Sequence, residues 1–153
     1  MMTLTSTQIG QLVAQFFLAG AGTLSFAVLF ACPKRTLPCC ALVGAVGWFV
    51  YELAVLYGAD AAAASLIAVI PLSLAARICA VLLKTPVTVF LLTGIFPLVP
   101  GAGIYYTAYY FLQGEEVLFA SKGAETFKVA LALALGIALV CSLPLPGSHE
   151  PKK

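Results

Sequence analysis

Residues 86–112 read PVTVFLLTGIFPLVPGAGIYYTAYYFL, an apolar run long enough to cross a bilayer but interrupted near its middle by Pro97, Pro100, Gly101 and Gly103. Proline lacks the N–H that would close a helical turn, and its ring collides with the carbonyl one turn earlier. A helix entering this segment is expected to stop, and a second to restart about halfway across. Hydrocarbon cannot hydrogen-bond the groups set free, so such a break persists only against protein or a water-lined cavity. Discontinuous helices near the midplane often form transporter binding sites for this reason.

Working outward, the whole chain shares this character. Its 153 residues are 62% hydrophobic and 9% charged, with a mean hydropathy of +1.07. A soluble domain of that size has too little polar surface to cover such a composition. The reading is an all-α membrane protein of about five transmembrane helices, over residues 8–31, 39–57, 61–83, 86–112 and 124–143, with the fourth discontinuous at Pro97–Gly103. Residues 1–147 form one transmembrane domain and 148–153 a polar cytoplasmic tail. The first span has no basic residue before it and exceeds a signal-peptide core in length, so it is expected to be retained. The polar stretch 113–126 (QGEEVLFASKGAET) is either a surface loop or a segment lying along the interface.

Charge sets the expected orientation. With five crossings, Lys34, Arg35, Lys84, Lys152 and Lys153 all fall on one side, opposite Asp60, Glu115, Glu116, Lys122 and Glu125. Basic residues favour the cytoplasm, which puts the N-terminus outside and the C-terminus inside. A re-entrant turn at the break would leave four crossings and move the tail lysines opposite Lys34, a poorer fit. The net charge of +2 and the scattered basic residues exclude a nucleic-acid surface.

Counting sets aside most catalytic chemistry. The only histidine is His149, in the tail, so a histidine triad or a histidine-ligated metal within the membrane has no raw material. The five cysteines show no CxxC spacing and read as packing residues. No enzyme, cofactor or metal is expected. Two charges lie within spans. Arg77, seven residues before Lys84, either snorkels to the cytoplasmic interface or faces a substrate path and attracts carboxylates. Glu52 is either an interfacial carboxylate or a proton- or cation-coupling one. Small residues such as Gly20, Gly44 and Gly47 provide close helix packing, with copies of the chain or another subunit as expected neighbours.

The halves of the break offer opposite dipoles. Carbonyls ending the first half carry partial negative charge, and amides starting the second, around Gly101–Ile104, carry partial positive charge. That pair suits a small zwitterion or a carboxylate. Thr93, Gly101, Gly103 and Tyr105 are the substrate-site candidates on this argument, with Arg77 added for its charge and Glu52 as the coupling candidate. A purely structural kink is the competing reading.

The order Phe26-Ala27-Val28-Leu29-Phe30, then Pro33 with a basic pair, then Cys40 to Trp48 (CALVGAVGW), then Lys84-Thr85-Pro86 ahead of Phe96-Pro97-Leu98-Val99-Pro100-Gly101 with Tyr105 soon after, resembles the threonine/serine exporter (ThrE-type) family, in its short YjjB-like subunit. The resemblance covers nearly the whole chain. It implies a subunit of a secondary transporter in the bacterial inner membrane, exporting threonine, serine or dicarboxylates such as succinate. It also implies a larger membrane partner of the same family, since this chain looks like the split form lacking a soluble amino-terminal domain. The alternative is a structural or assembly protein without transport activity of its own. The resemblance assigns no substrate ligands, so the site residues rest on physical argument alone.

Overall fold

Asp60 closes the first turn of a helix at Ala61–Leu83 by accepting a hydrogen bond from the Ala63 amide at 3.3 Å, satisfying one of the donors a helix start leaves unpaired. That helix, α3, is the third of six α-helices in a computed structural model that describes residues 6–143. Helices α1 (Ser6–Leu29) and α2 (Leu37–Leu56) precede it; α4 (Val87–Gly94), α5 (Gly101–Leu112) and α6 (Glu116–Ser142) follow. Single 3-10 turns at Lys34–Thr36 and Phe96–Leu98 lead into α2 and out of α4. At the end of α3, Lys84 turns left-handed (φ 47) and the Thr85 amide returns to the Ala80 carbonyl at 3.1 Å. Pro86 then prevents the helix from resuming in the same direction.

The chain is an all-α membrane protein, as its composition implies. Helices α1, α2, α3 and α6 are each long and apolar enough to cross a membrane, and the stretch Val87–Leu98 meets α5 at a bend of 57°. The register of α3 on α6 shows which way the bent pair carries the chain. Ala61 and Ser65, at the start of α3, share a cavity with Lys122 and Thr126. Midway along, Val69 lies against Gly136. Near the end of α3, Arg77 reaches the carbonyls of Val140 and Leu143. The two helices therefore run parallel, so α4 and α5 together return the chain to the end of the bundle where α3 began. A re-entrant turn would have made α6 antiparallel to α3.

Packing centres on α2 and α3. Val43, Val69, Leu72 and Phe90 are fully buried between α2, α3 and α4. Glycine makes this closeness possible: a Cβ added at Gly44, Gly47 or Gly94 would collide with Thr23, Leu72 or Val43 respectively. Large apolar side chains on the outside, among them Phe17, Leu18 and Leu29 on α1, are exposed as a lipid-facing surface requires.

One feature differs from the sequence reading. The stretch expected as a loop or interfacial segment at 113–126 is mostly helix, because α6 begins at Glu116. Only a short turn around Gly114 (φ 73) separates it from α5. Val117, Leu118 and Phe119 fall in the first turn of α6 and are exposed. Pro71 sits inside α3 without ending it, in line with the uninterrupted span expected over 61–83. The expected tail at 148–153, with His149, lies outside the described residues.

Candidate functional site

The break is built from two different backbone devices. Pro97 offers no N–H to the Thr93 carbonyl, and the chain tightens into the 3-10 turn, with Leu98 donating to the Ile95 carbonyl at 2.8 Å. Pro100 then takes φ −76 and ψ 58, and the Gly101 amide donates across it to the Val99 carbonyl at 2.7 Å. That is an inverse γ-turn. The first helical acceptor of α5 is the Pro100 carbonyl, bonded by the Ile104 amide at 3.0 Å. The Ala102 and Gly103 amides are thus left as unpaired donors at the positive end of a helix dipole.

Ala102 and Gly103 line a cavity of about 360 Å³. The break supplies one wall, from Pro97 to Gly103. Trp48 and Tyr51 of α2, one turn apart, supply a second. Ser65 of α3 and Tyr106 of α5 add hydroxyl groups, and Lys122, Glu125 and Thr126 of α6 close the far side. Trp48 is held by a hydrogen bond from its indole N–H to the Gln15 Oε1 at 2.8 Å and stacks on Tyr51 with centroids 5.2 Å apart. Lys122 and Glu125 form an ion pair at 2.7 Å. Counting residues from the ends of α5 and α6, the break lies roughly 17 Å and the pair about 10–14 Å from the end of the bundle bearing Asp60 and Gly114. The opposite half of the crossing is shut. There Phe90 and Thr93 are fully buried and Gly94 lies against Val43.

The residues singled out from sequence are dispersed. Gly101 and Gly103 both line the cavity, but they differ in kind. A Cβ at Gly101 would meet nothing within 4 Å, whereas one at Gly103 would strike Thr126. Gly101 borders open space and Gly103 is a packing contact between α5 and α6. Thr93 is buried, its hydroxyl spent on the Val89 carbonyl at 2.9 Å within its own helix. Tyr105 is exposed and stacks on Tyr109 away from the cavity; its neighbour Tyr106 is the tyrosine that lines it. Arg77 does not line this cavity; its guanidinium donates to the Val140 and Leu143 carbonyls at the end of α6. Glu52 is half-buried beside Tyr51 and is not among the cavity-lining residues.

Sequence reasoning missed Trp48, Tyr51, Tyr106, Lys122 and Glu125. Positions 122, 125, 126 and 129 follow helical i, i+3, i+4, i+7 spacing, the signal that places them on one face once this stretch is helical. The cysteines are all free, and burial followed by the neighbouring Cys40 pushes the Cys32 thiol up, keeping it protonated near neutral pH.

Residues 15–143 match a family model described as Threonine/Serine exporter, ThrE. No curated protein and no solved structure matches the chain.

Proposed function

The chain belongs to the threonine/serine exporter family, and from that premise we propose that it is a subunit of a secondary transporter whose solute path runs through the cavity at the broken crossing. The observation that carries this reading is that Ala102 and Gly103, whose amides are unpaired, line a chamber that also holds an ion pair. Amides left free at membrane depth are tolerable where water or a polar solute meets them, and the positive end of α5 suits a carboxylate. About 360 Å³ accommodates a small amino acid or a short dicarboxylate with water.

Orientation follows from charge. Lys34, Arg35 and Lys84 lie at the closed end of the bundle and Asp60, Glu115 and Glu116 at the end nearer the chamber. Basic residues at the cytoplasmic face put the N-terminus outside and make this an outward-facing arrangement. Gly101 borders the solute path and Gly103 shapes it through Thr126, while Glu52 remains the proposed coupling carboxylate behind Tyr51. Helix α5 buries none of its residues completely and packs mainly on α6, which supports a larger membrane subunit as the neighbour on that side.

Reconstitution with and without the co-encoded larger subunit, followed by counterflow of labelled threonine, serine and succinate, tests the reading. Flux of threonine or serine that requires both chains is the expected outcome. Assembly of both chains without flux of any of the three would leave the structural reading, which the tight glycine contacts at Gly44, Gly94 and Gly103 favour.

A further inference from the structure

Lys122 and Glu125 are the charged residues among those that line the chamber, and they face it from one turn of α6. The pair is 2.7 Å apart with the two side chains 40% and 55% exposed. An exposed i, i+3 pair of this kind contributes little to stability, so the fold gives little up when it opens. Both groups are accessible to a solute that has entered. Glu125 also faces a second polar groove of about 430 Å³, lined by Asp60, Ser121 and Lys128. The α6 charges therefore meet Tyr51 and Trp48 across the chamber and Asp60 across the groove, with no additional arginine or lysine from α2, α3 or α5 lining either space.

Resting on the transport reading and deepening it, we infer that Lys122 and Glu125 are an exchangeable ion pair that selects net-neutral zwitterions over dianions. In the loaded chamber the solute's ammonium takes Glu125 and its carboxylate takes Lys122. One pair opens and two form, so no charge is stranded. Trp48 and Tyr51 also line the chamber, and aromatic rings attract an ammonium group in a way they do not attract an anion. A dianion has no such solution: one carboxylate takes Lys122 while Glu125 loses its partner and repels the other. Like charges at close range disfavour the wrong solute more effectively than added contacts favour the right one.

The test uses proteoliposomes of the full chain with its co-encoded larger subunit, measuring counterflow of labelled threonine and of labelled succinate for each variant. Glu125→Gln is expected to lower the threonine-to-succinate flux ratio threefold or more by removing the charge that rejects the dianion. Lys122→Gln is expected to reduce both fluxes, and Glu125→Asp and Lys122→Arg to keep the wild-type ratio. A ratio that moves by less than threefold in an assembled Glu125→Gln complex overturns the inference while wild-type flux leaves the transport reading standing. Absence of all flux in the wild-type complex overturns both. Should Glu125→Gln fail to assemble, the uncharged double variant Lys122→Gln/Glu125→Gln decides: loss of threonine preference supports the pair, and retained preference overturns it.

Discussion

At Arg77 the guanidinium lies against the Val140 carbonyl, which also accepts the Leu143 amide at 3.3 Å, and the Leu143 carbonyl just past the end of α6. A helix terminus carries partial negative charge there, and in an apolar surround a cation that also donates hydrogen bonds complements it. This accounts for an arginine about 10 Å inside a span without invoking a solute. Replacing Arg77 with Gln keeps a donor but removes the charge and one arm of the fork. The expected loss is about 2 kcal/mol, the range for charge-assisted hydrogen bonds, read as a lower unfolding midpoint in detergent. Flux per assembled complex should stay near wild type; a loss of flux without a loss of stability would return Arg77 to the solute path. The sequence showed that an intramembrane cation needs a partner, but the carbonyls it found belong to residues 63 and 66 positions away. Thr93 shows the same limit on a smaller scale. Its depth was legible, but its burial on the face of α4 packed between α2 and α3 depends on tertiary packing.

The discontinuous crossing was legible as an element because its cause is local. Two prolines three residues apart, with glycines at 101 and 103, remove donors and restart the helix after the six residues 95–100. Pro71 is the instructive contrast: alone within α3, with buried Leu72 and Ser73 beside it, it leaves the rod continuous. One lost hydrogen bond, about 3 kcal/mol with its ring clash, is offset there by packing on α2 and α6. The start of α6 was less legible because Lys122, Glu125 and Thr126 give 113–126 the composition of a loop, while their helical spacing places them against α5 and the cavity. The two glycines of the break separate fold from function. Gly103→Leu must displace Thr126 and is expected to loosen α5 from α6, lowering thermal stability and assembly. A Cβ at Gly101 meets no neighbour, so Gly101→Leu is expected to leave the unfolding midpoint within a few degrees of wild type while its side chain narrows the chamber and cuts flux at least tenfold. Equal destabilisation by the two substitutions, or undiminished flux with Gly101→Leu, would remove the chamber from the transport path.

Across the whole molecule, charge and openness share one axis. The end bearing Asp60, Glu115 and Glu116 is nearer the chamber, and the end bearing Lys34, Arg35 and Lys84 is closed by Phe90, Thr93 and the Gly94–Val43 contact. If the basic end is cytoplasmic, a solute moving outward must first enter past α4, so export requires a second arrangement in which this closed half opens. Alternating access of this kind places the moving part beside the break, where α4 is short and joined to α5 by irregular backbone. Both steps depend on which face is outside. In a background with the native cysteines replaced, a membrane-impermeant maleimide applied to intact cells should label Gln113→Cys in the short turn after α5 and spare Arg35→Cys until the membrane is permeabilised, since both sites are exposed. The reverse pattern would turn the molecule over: the chamber would then face the cytoplasm, and the structure would represent the loading state with α4 closing the exit.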